Sequence, residues 1–168
     1  MSTQNGYKER FVELFDENKH KLYDYARRML NDRDSAGDIT QEAFIRLYNN
    51  LKNNHAEIKS PRNWLFIIAR NLCLNKIRDS KKEINLEMAD GHDELKYIDL
   101  DPKHIQLDKA MNSLDAQFRE VLIMKEYHGF SYEEMASILH INVPAVRTLL
   151  YKARIALRDN FKIITTGR

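Results

Sequence analysis

Apolar residues recur every three or four positions through most of this 168-residue chain, and alternation with a period of two is scarce. That spacing gathers side chains on one face of an α-helix, and five glycines and three prolines leave few interruptions. The expected fold is all-α. Phe11, Leu14, Phe15, Leu22, Tyr25, Ala26 and Met29 mark a first long helix from about residue 7, broken by Asn31-Asp32-Arg33-Asp34. A second helix covers about 35–51 and buries Ile39, Ala43, Leu47 and Leu51. Residues 52–60 are polar and read as a loop. Ser60-Pro61 then opens a third helix, with Ser as N-cap and Pro at the first helical position. Its apolar face is Trp64, Leu65, Ile68, Ala69 and Leu72, and Trp64 is read as core because it shares that face.

Residues 131–158 read as a helix, a tight turn and a second, basic helix. Ser131-Tyr132-Glu133-Glu134 has the capping-box pattern, in which Ser131 accepts a first-turn N–H and Glu134 reaches back. Met135, Ile138 and Leu139 supply the apolar face; His140-Ile141-Asn142 forms the corner, with Asn142 as the next N-cap. From there Val146, Leu150, Ala153 and Leu157 face inward, leaving Arg147, Thr148, Tyr151, Lys152 and Arg154 outside. A helix presenting Arg, Thr and Lys from its N-terminal half suits the major groove of DNA. Helix pairs of this kind also serve as plain packing units, so the segment alone does not decide. Two helices precede it, over about 105–112 and 116–128, the second with Phe118, Val121, Leu122 and Tyr127 inward and Gly129 ending it.

Charge is more informative in its distribution than in its total. The formal net charge of +2 is too small to indicate nucleic-acid binding. Residues 1–80 and 109–168 each carry a net +3, and residues 81–108 between them carry −4. Two mildly basic parts thus flank an acidic connector over about 82–105. Cys73 is the one cysteine, which leaves no intrachain disulfide and no thiolate zinc cluster. The six histidines are scattered, and Gly-rich phosphate loops, HExxH and Cys/His pairs at metal-ligand spacing are missing. No catalytic residue, metal or cofactor is expected. The polar N-terminus lacks a signal-peptide core, and the longest apolar run, 64–69, is too short for a bilayer. A reduced, cytoplasmic protein without membrane insertion is the expectation.

Three motifs occur in order. They are Asp38-Ile39-Thr40-Gln41-Glu42-Ala43-Phe44, then Trp64-Leu65-Phe66-Ile67-Ile68-Ala69-Arg70-Asn71, and last Phe130-Ser131-Tyr132-Glu133-Glu134-Met135-Ala136 with Val143-Pro144-Ala145-Val146-Arg147-Thr148. The ordered set resembles the bacterial sigma-70 family of RNA polymerase sigma factors, in its extracytoplasmic-function (ECF) subgroup. There is no room for the middle domain of larger members. The resemblance implies a three-helix region 2 over 1–81, a flexible acidic linker over 82–105, and a helix–turn–helix region 4 over 106–168.

It also implies site residues. Asp38, Gln41, Glu42 and Arg46 would dock on the β′ clamp helices of core RNA polymerase, whose β flap is a further partner. The third helix and the loop before it would read and open the −10 promoter element. That assigns Asn53, Asn54, His55 and Lys59 to a base pocket, Asn71 to a base contact, Arg70, Lys76 and Arg78 to the backbone, and Asn75 to the −10 contact surface. The last helix would read the −35 element through Pro144, Arg147, Thr148, Tyr151, Lys152 and Arg154. Promoter DNA and an anti-sigma factor complete the implied partners. Elements roughly 25 base pairs apart lie about 80 Å apart, which a largely extended 24-residue linker spans at its limit of roughly 80 Å.

Two positions depart from the family pattern: Leu149 stands where Arg is frequent, and His140 where Gly is common in the turn. The latter implies a left-handed non-glycine residue or an altered corner. The alternative reading is a stand-alone helix–turn–helix regulator, which would bind duplex DNA without polymerase.

Overall fold

The computed structural model describes residues 3–53, 57–84 and 101–167, and every regular element among them is helical. They divide into two compact units, with the boundary between residues 90 and 91.

The first unit consists of α1 (Thr3–Leu30), α2 (Arg33–Lys52) and α3 (Pro61–Ile84). Helical spacing explains its core. Leu22, Tyr25, Ala26 and Met29 of α1 meet Ala36, Ile39, Ala43 and Leu47 of α2, all buried, with Leu65, Phe66, Ala69 and Cys73 of α3. Each large apolar side chain fully withdrawn from water contributes about 1.5–3 kcal/mol. Tyr25 packs edge-on against Phe66 with ring centroids 5.3 Å apart. Asn18 is buried too, and it satisfies its amide by donating to the Leu14 carbonyl at 2.8 Å.

The break between α1 and α2 is tighter than the four-residue stretch expected from sequence. Asn31 takes a left-handed conformation (φ 51°), which Asn tolerates better than most side chains, and its N–H closes α1 on the Arg27 carbonyl. Asp32 is the N-cap of α2, accepting from the Asp34 N–H at 3.1 Å and from the Ser35 hydroxyl. The reading of α3 is corrected in one respect. Its buried stripe is Leu65, Phe66, Ala69 and Cys73, whereas Trp64, Ile68 and Leu72 are half-buried. The inward face therefore lies about one residue further along than the motif suggested. The cap is as expected, with the Ser60 hydroxyl accepting from the Asn63 N–H at 3.4 Å.

The second unit contains α4 (Pro102–Asn112), α5 (Ala116–Leu122), α6 (Tyr132–Leu139) and α7 (Val143–Thr166). α4 starts three residues earlier than expected, because Asp101 caps it at the Lys103 N–H (3.0 Å) and Pro102 takes its first position. The helix expected over 116–128 is not uniform. After Leu122 it widens into a π turn, Ile123–Tyr127, which ends at Gly129 (φ 62°). The wider turn places Ile123 and Met124 in the core and turns Tyr127 outward at 41% exposure, against its expected inward position. α7 buries Val146, Leu150 and Ala153, with Leu157 half-buried. Toward its far end Asn160 donates to the Ala110 carbonyl of α4 at 3.4 Å.

The Asp32 cap makes the first unit sensitive to acid. The Ser35 hydroxyl is the main cause that holds this carboxyl below its usual range, aided by the Ser35 and Asp34 N–H groups and by Lys76 against a burial penalty. A folded-state pKa depressed below the unfolded value stabilises the fold above about pH 4 and loses that contribution as pH falls through the folded value. Asp32→Ala should cost about 1 kcal/mol at neutral pH and clearly less near pH 2. Urea unfolding followed by Trp64, the single tryptophan, reads this unit selectively; an equal cost at both pH values would refute the titrating cap.

Candidate nucleic-acid and polymerase interfaces

In the first unit α2 presents two faces. Ile39, Ala43 and Leu47 point into the core, so Asp38, Gln41 and Arg46 are exposed and Glu42 is half-buried. Glu42 and Arg46 pair at 2.9 Å one helical turn apart. Such an exposed pair is worth about 0.3–0.5 kcal/mol, little enough to be exchanged for a partner's groups. Sequence reasoning missed what lies beside this stripe. A groove of about 460 Å³ runs between α1 and α2, lined by Phe11, Phe15, Thr40, Gln41, Phe44, Ile45 and Tyr48. Its aromatic walls pack edge-on, with Phe15 and Phe44 centroids 4.8 Å apart and Phe11 and Tyr48 5.4 Å apart. Ile45 at 46% exposure was the available signal, an apolar residue off the buried stripe of its helix.

On α3, Asn71, Asn75, Lys76 and Arg78 are exposed and Arg70 is half-buried. Asn71, Asn75 and Arg78 recur at four and three residues and so share one face. The helix thus sets two amides and a guanidinium in a row above a packed underside, an arrangement able to offer hydrogen bonds to base edges and charge to phosphates. Asn53 closes α2, its N–H bonded to the Asn49 carbonyl at 3.0 Å, and its side chain is exposed, as is Lys59. Asn54 and His55 lie outside the described residues.

In the second unit the corner before α7 is fixed from both sides. The Ser131 hydroxyl accepts from the Glu134 N–H at 3.0 Å and the Glu134 carboxylate from the Ser131 N–H at 3.3 Å, completing the capping box of α6. His140 ends α6 in a left-handed conformation (φ 56°), and its N–H and that of Ile141 both reach the Ala136 carbonyl. Asn142 then caps α7, accepting from the Ala145 N–H at 2.8 Å. The departure at His140 is accordingly a strained residue in an ordinary corner.

α7 carries Pro144, Arg147, Thr148, Tyr151, Lys152 and Arg154 on its exposed side, Tyr151 at 67% exposure. Their environments differ. Arg154 pairs with Glu126 of the π turn at 3.0 Å. The Arg147 guanidinium lies 5.5 Å from the ring centroid of Tyr132, and the Lys125 ammonium 4.7 Å from the same centroid. The Thr148 hydroxyl donates back to the Pro144 carbonyl at 3.1 Å. Leu149, the other departure, is half-buried. Between α4 and α7 lies a second groove of about 360 Å³, floored by Leu107, Leu157 and Phe161 and rimmed by Lys103, His104, Arg154 and Arg158.

Among the described residues no group of three or more His, Cys, Asp or Glu is placed to hold a metal, and no helix is long and apolar enough to cross a membrane.

Comparison with known proteins follows the same division. Residues 14–83 match the family model for sigma-70 region 2, and residues 104–157 that for sigma-70 region 4. The ECF RNA polymerase sigma factor SigE of Mycolicibacterium smegmatis is 29% identical over 156 residues, 88% of this chain; the chain spans 60% of that relative's length. SigW of Bacillus subtilis, also an ECF sigma factor, is 29% identical across 95% of the chain and 92% of its own length. The sigma factor RpoE of Bartonella quintana, solved in complex with the anti-sigma factor NepR, superposes with a TM-score of 0.73. That likeness covers 92% of this chain and 98% of the other, and at 23% identity it establishes the fold.

His140 supplies a check on the corner. A non-glycine residue in this conformation is disfavoured by about 1–2 kcal/mol, partly offset by the greater unfolded-state freedom of glycine. His140→Gly should therefore stabilise the second unit by roughly 0.5–1 kcal/mol. Calorimetry of the transition that leaves Trp64 fluorescence unchanged would measure it, and a loss of stability would mean that the imidazole makes a compensating contact.

Proposed function

The chain belongs to the sigma-70 family, in its ECF subgroup, and from that premise we propose how it acts: it binds core RNA polymerase and directs it to promoters through −10 and −35 recognition. The observation that carries the reading is the pairing of region 2 over 14–83 with region 4 over 104–157 in one chain. A stand-alone regulator would need the basic face of α7 but would have no use for the polar stripe of α2.

The stripe Asp38, Gln41, Glu42 and Arg46 takes the β′ clamp helices, and the aromatic groove beside it offers apolar area to the same contact. Anchoring of this kind places charge pairs around a desolvated apolar centre, where binding energy concentrates. The groove between α4 and α7 is the corresponding seat for the β flap. Since α3 runs to Ile84 and α4 begins at Pro102, region 2 ends and region 4 begins a few residues inside the 82–105 expected for the acidic linker, which joins them.

Opening the −10 element disfavours the complex by a few kcal/mol for each unstacked step, so the site must recover that energy from the extruded base and the strand. Asn71 and Asn75 supply donors and acceptors for base edges, with Asn53, Asn54, His55 and Lys59 forming the pocket. Arg70, Lys76 and Arg78 hold phosphates and position without specifying. On the −35 element Arg147 and Lys152 reach guanine edges or phosphates, and Pro144, Thr148, Tyr151 and Arg154 complete the contact surface. RNA synthesis itself belongs to the polymerase, and the chain acts in the cytoplasm where polymerase and promoters are. A protein inhibitor that covers these surfaces is the expected mode of control, as the anti-sigma complex of the Bartonella relative suggests.

The reading is tested by mixing the purified chain with sigma-free bacterial core RNA polymerase and genomic fragments. Transcripts starting at discrete sites are expected; failure to form a complex, together with tight duplex binding by the chain alone, would hand the function to a stand-alone regulator. Asp38→Ala with Glu42→Ala should weaken polymerase binding at least tenfold while leaving urea unfolding of the first unit within about 0.5 kcal/mol of the parent. Unchanged polymerase affinity would remove the stripe from the interface.

A further inference from the structure

We propose that Tyr132 is a positioning residue for −35 recognition, its ring holding the Arg147 guanidinium in place at the start of α7. The inference rests on the −35 reading of α7 and adds to it a residue of the preceding helix.

The geometry begins with the backbone. Tyr132 is the first residue of α6, inside the capping box that fixes Ser131 and Glu134 to one another, so its Cα has little freedom. Its side chain is half-buried. The Lys125 ammonium lies 4.7 Å from the ring centroid and also donates to the Phe130 carbonyl at 3.2 Å; Phe130 itself is fully buried. The ring is thus held by a cation that is anchored to the core. Arg147, exposed on α7, approaches the same ring to 5.5 Å. An aromatic face carries negative charge density and attracts a guanidinium at this distance.

The way each arginine of α7 is held decides what it can still do. Arg154 shares its N–H groups with the Glu126 carboxylate at 3.0 Å, and an incoming acceptor must displace that partner. Arg147 forms no ion pair among the described residues, and the attraction to a ring does not consume its N–H donors. They remain available for the paired acceptors of a guanine edge while the side chain has already given up part of its rotamer freedom. Lys125 on the same ring raises the local positive potential; it repels the Arg147 guanidinium as well, an opposition that an approaching phosphate backbone relieves. Tyr132 therefore acts through Arg147 rather than on a base.

The test uses the full chain assembled with bacterial core RNA polymerase and a promoter library randomised over the upstream element, with transcripts sequenced. Arg147→Ala should flatten the preference at one or two adjacent base pairs. Tyr132→Leu should weaken that same preference roughly three- to tenfold, and Tyr132→Phe, which keeps the ring, should stay within about twofold of the parent. The double variant should match Arg147→Ala alone, since the two residues act as one unit. Should Tyr132→Leu unfold the second unit, Tyr132→Met carries the same expectation. An intact preference in the Tyr132 variants, or an equal loss over all sequences, would overturn the positioning role. A sequence-independent effect of Arg147→Ala would overturn both the guanine contact and the inference built on it.

Discussion

A helix that commits one stripe of side chains to a core has fixed the direction of all its others, and this constraint governs both units. In α2 the burial of Ala36, Ile39, Ala43 and Leu47 leaves Asp38, Gln41 and Arg46 outward with no further choice to make. In α7 the burial of Val146, Leu150 and Ala153 does the same for Arg147, Thr148, Tyr151 and Lys152. The apolar residues therefore do more than stabilise. They aim the polar residues proposed to meet polymerase and DNA, and a core substitution that rotated either helix would redirect its whole exposed polar face.

The parts of the fold that were legible in sequence are those with a local physical cause. Ser60-Pro61, the Ser131 and Glu134 box and Asn142 are caps whose hydrogen bonds close within three residues, and all form as read. The widened turn Ile123–Tyr127 was not legible, because no residue type demands it; it results from packing, which draws Ile123 and Met124 inward and rotates Tyr127 out. The inward face of α3 was misjudged for a related reason. Trp64 to Leu72 is apolar nearly all round, so periodicity alone cannot say that Phe66 and Cys73 face the core while Trp64 stays half-exposed. The grooves beside α2 and α7 needed two helices to be placed against each other before either existed, and no single-helix pattern contains them.

The π turn also links packing to recognition. By adding a residue to the turn it carries Lys125 toward Tyr132 and Phe130, and Glu126 toward Arg154. An ordinary α-helical turn would rotate these two side chains by a large fraction of a turn about the helix axis. Two of the cations of α7, Arg147 and Arg154, are thus set by contacts from outside α7. Arg154 is restrained by a carboxylate that an incoming acceptor must displace, Arg147 by a ring that leaves its N–H donors open.

That asymmetry accords with the modest charge of the chain. With a net charge of +2, and an acidic stretch between its two basic parts, the chain has little non-specific electrostatic attraction to duplex DNA. Within that total, pairing Arg154 with Glu126 lowers the positive potential locally on α7. A factor built this way gains little from meeting DNA alone. Its affinity for promoters must come from contacts made once polymerase has brought both units to the template, where a few positioned donors, Arg147 and Asn71 in the proposed reading, add selectivity to binding supplied largely by the polymerase. Strong positive charge on the free chain would work against this, because it would populate non-specific complexes from which polymerase is absent.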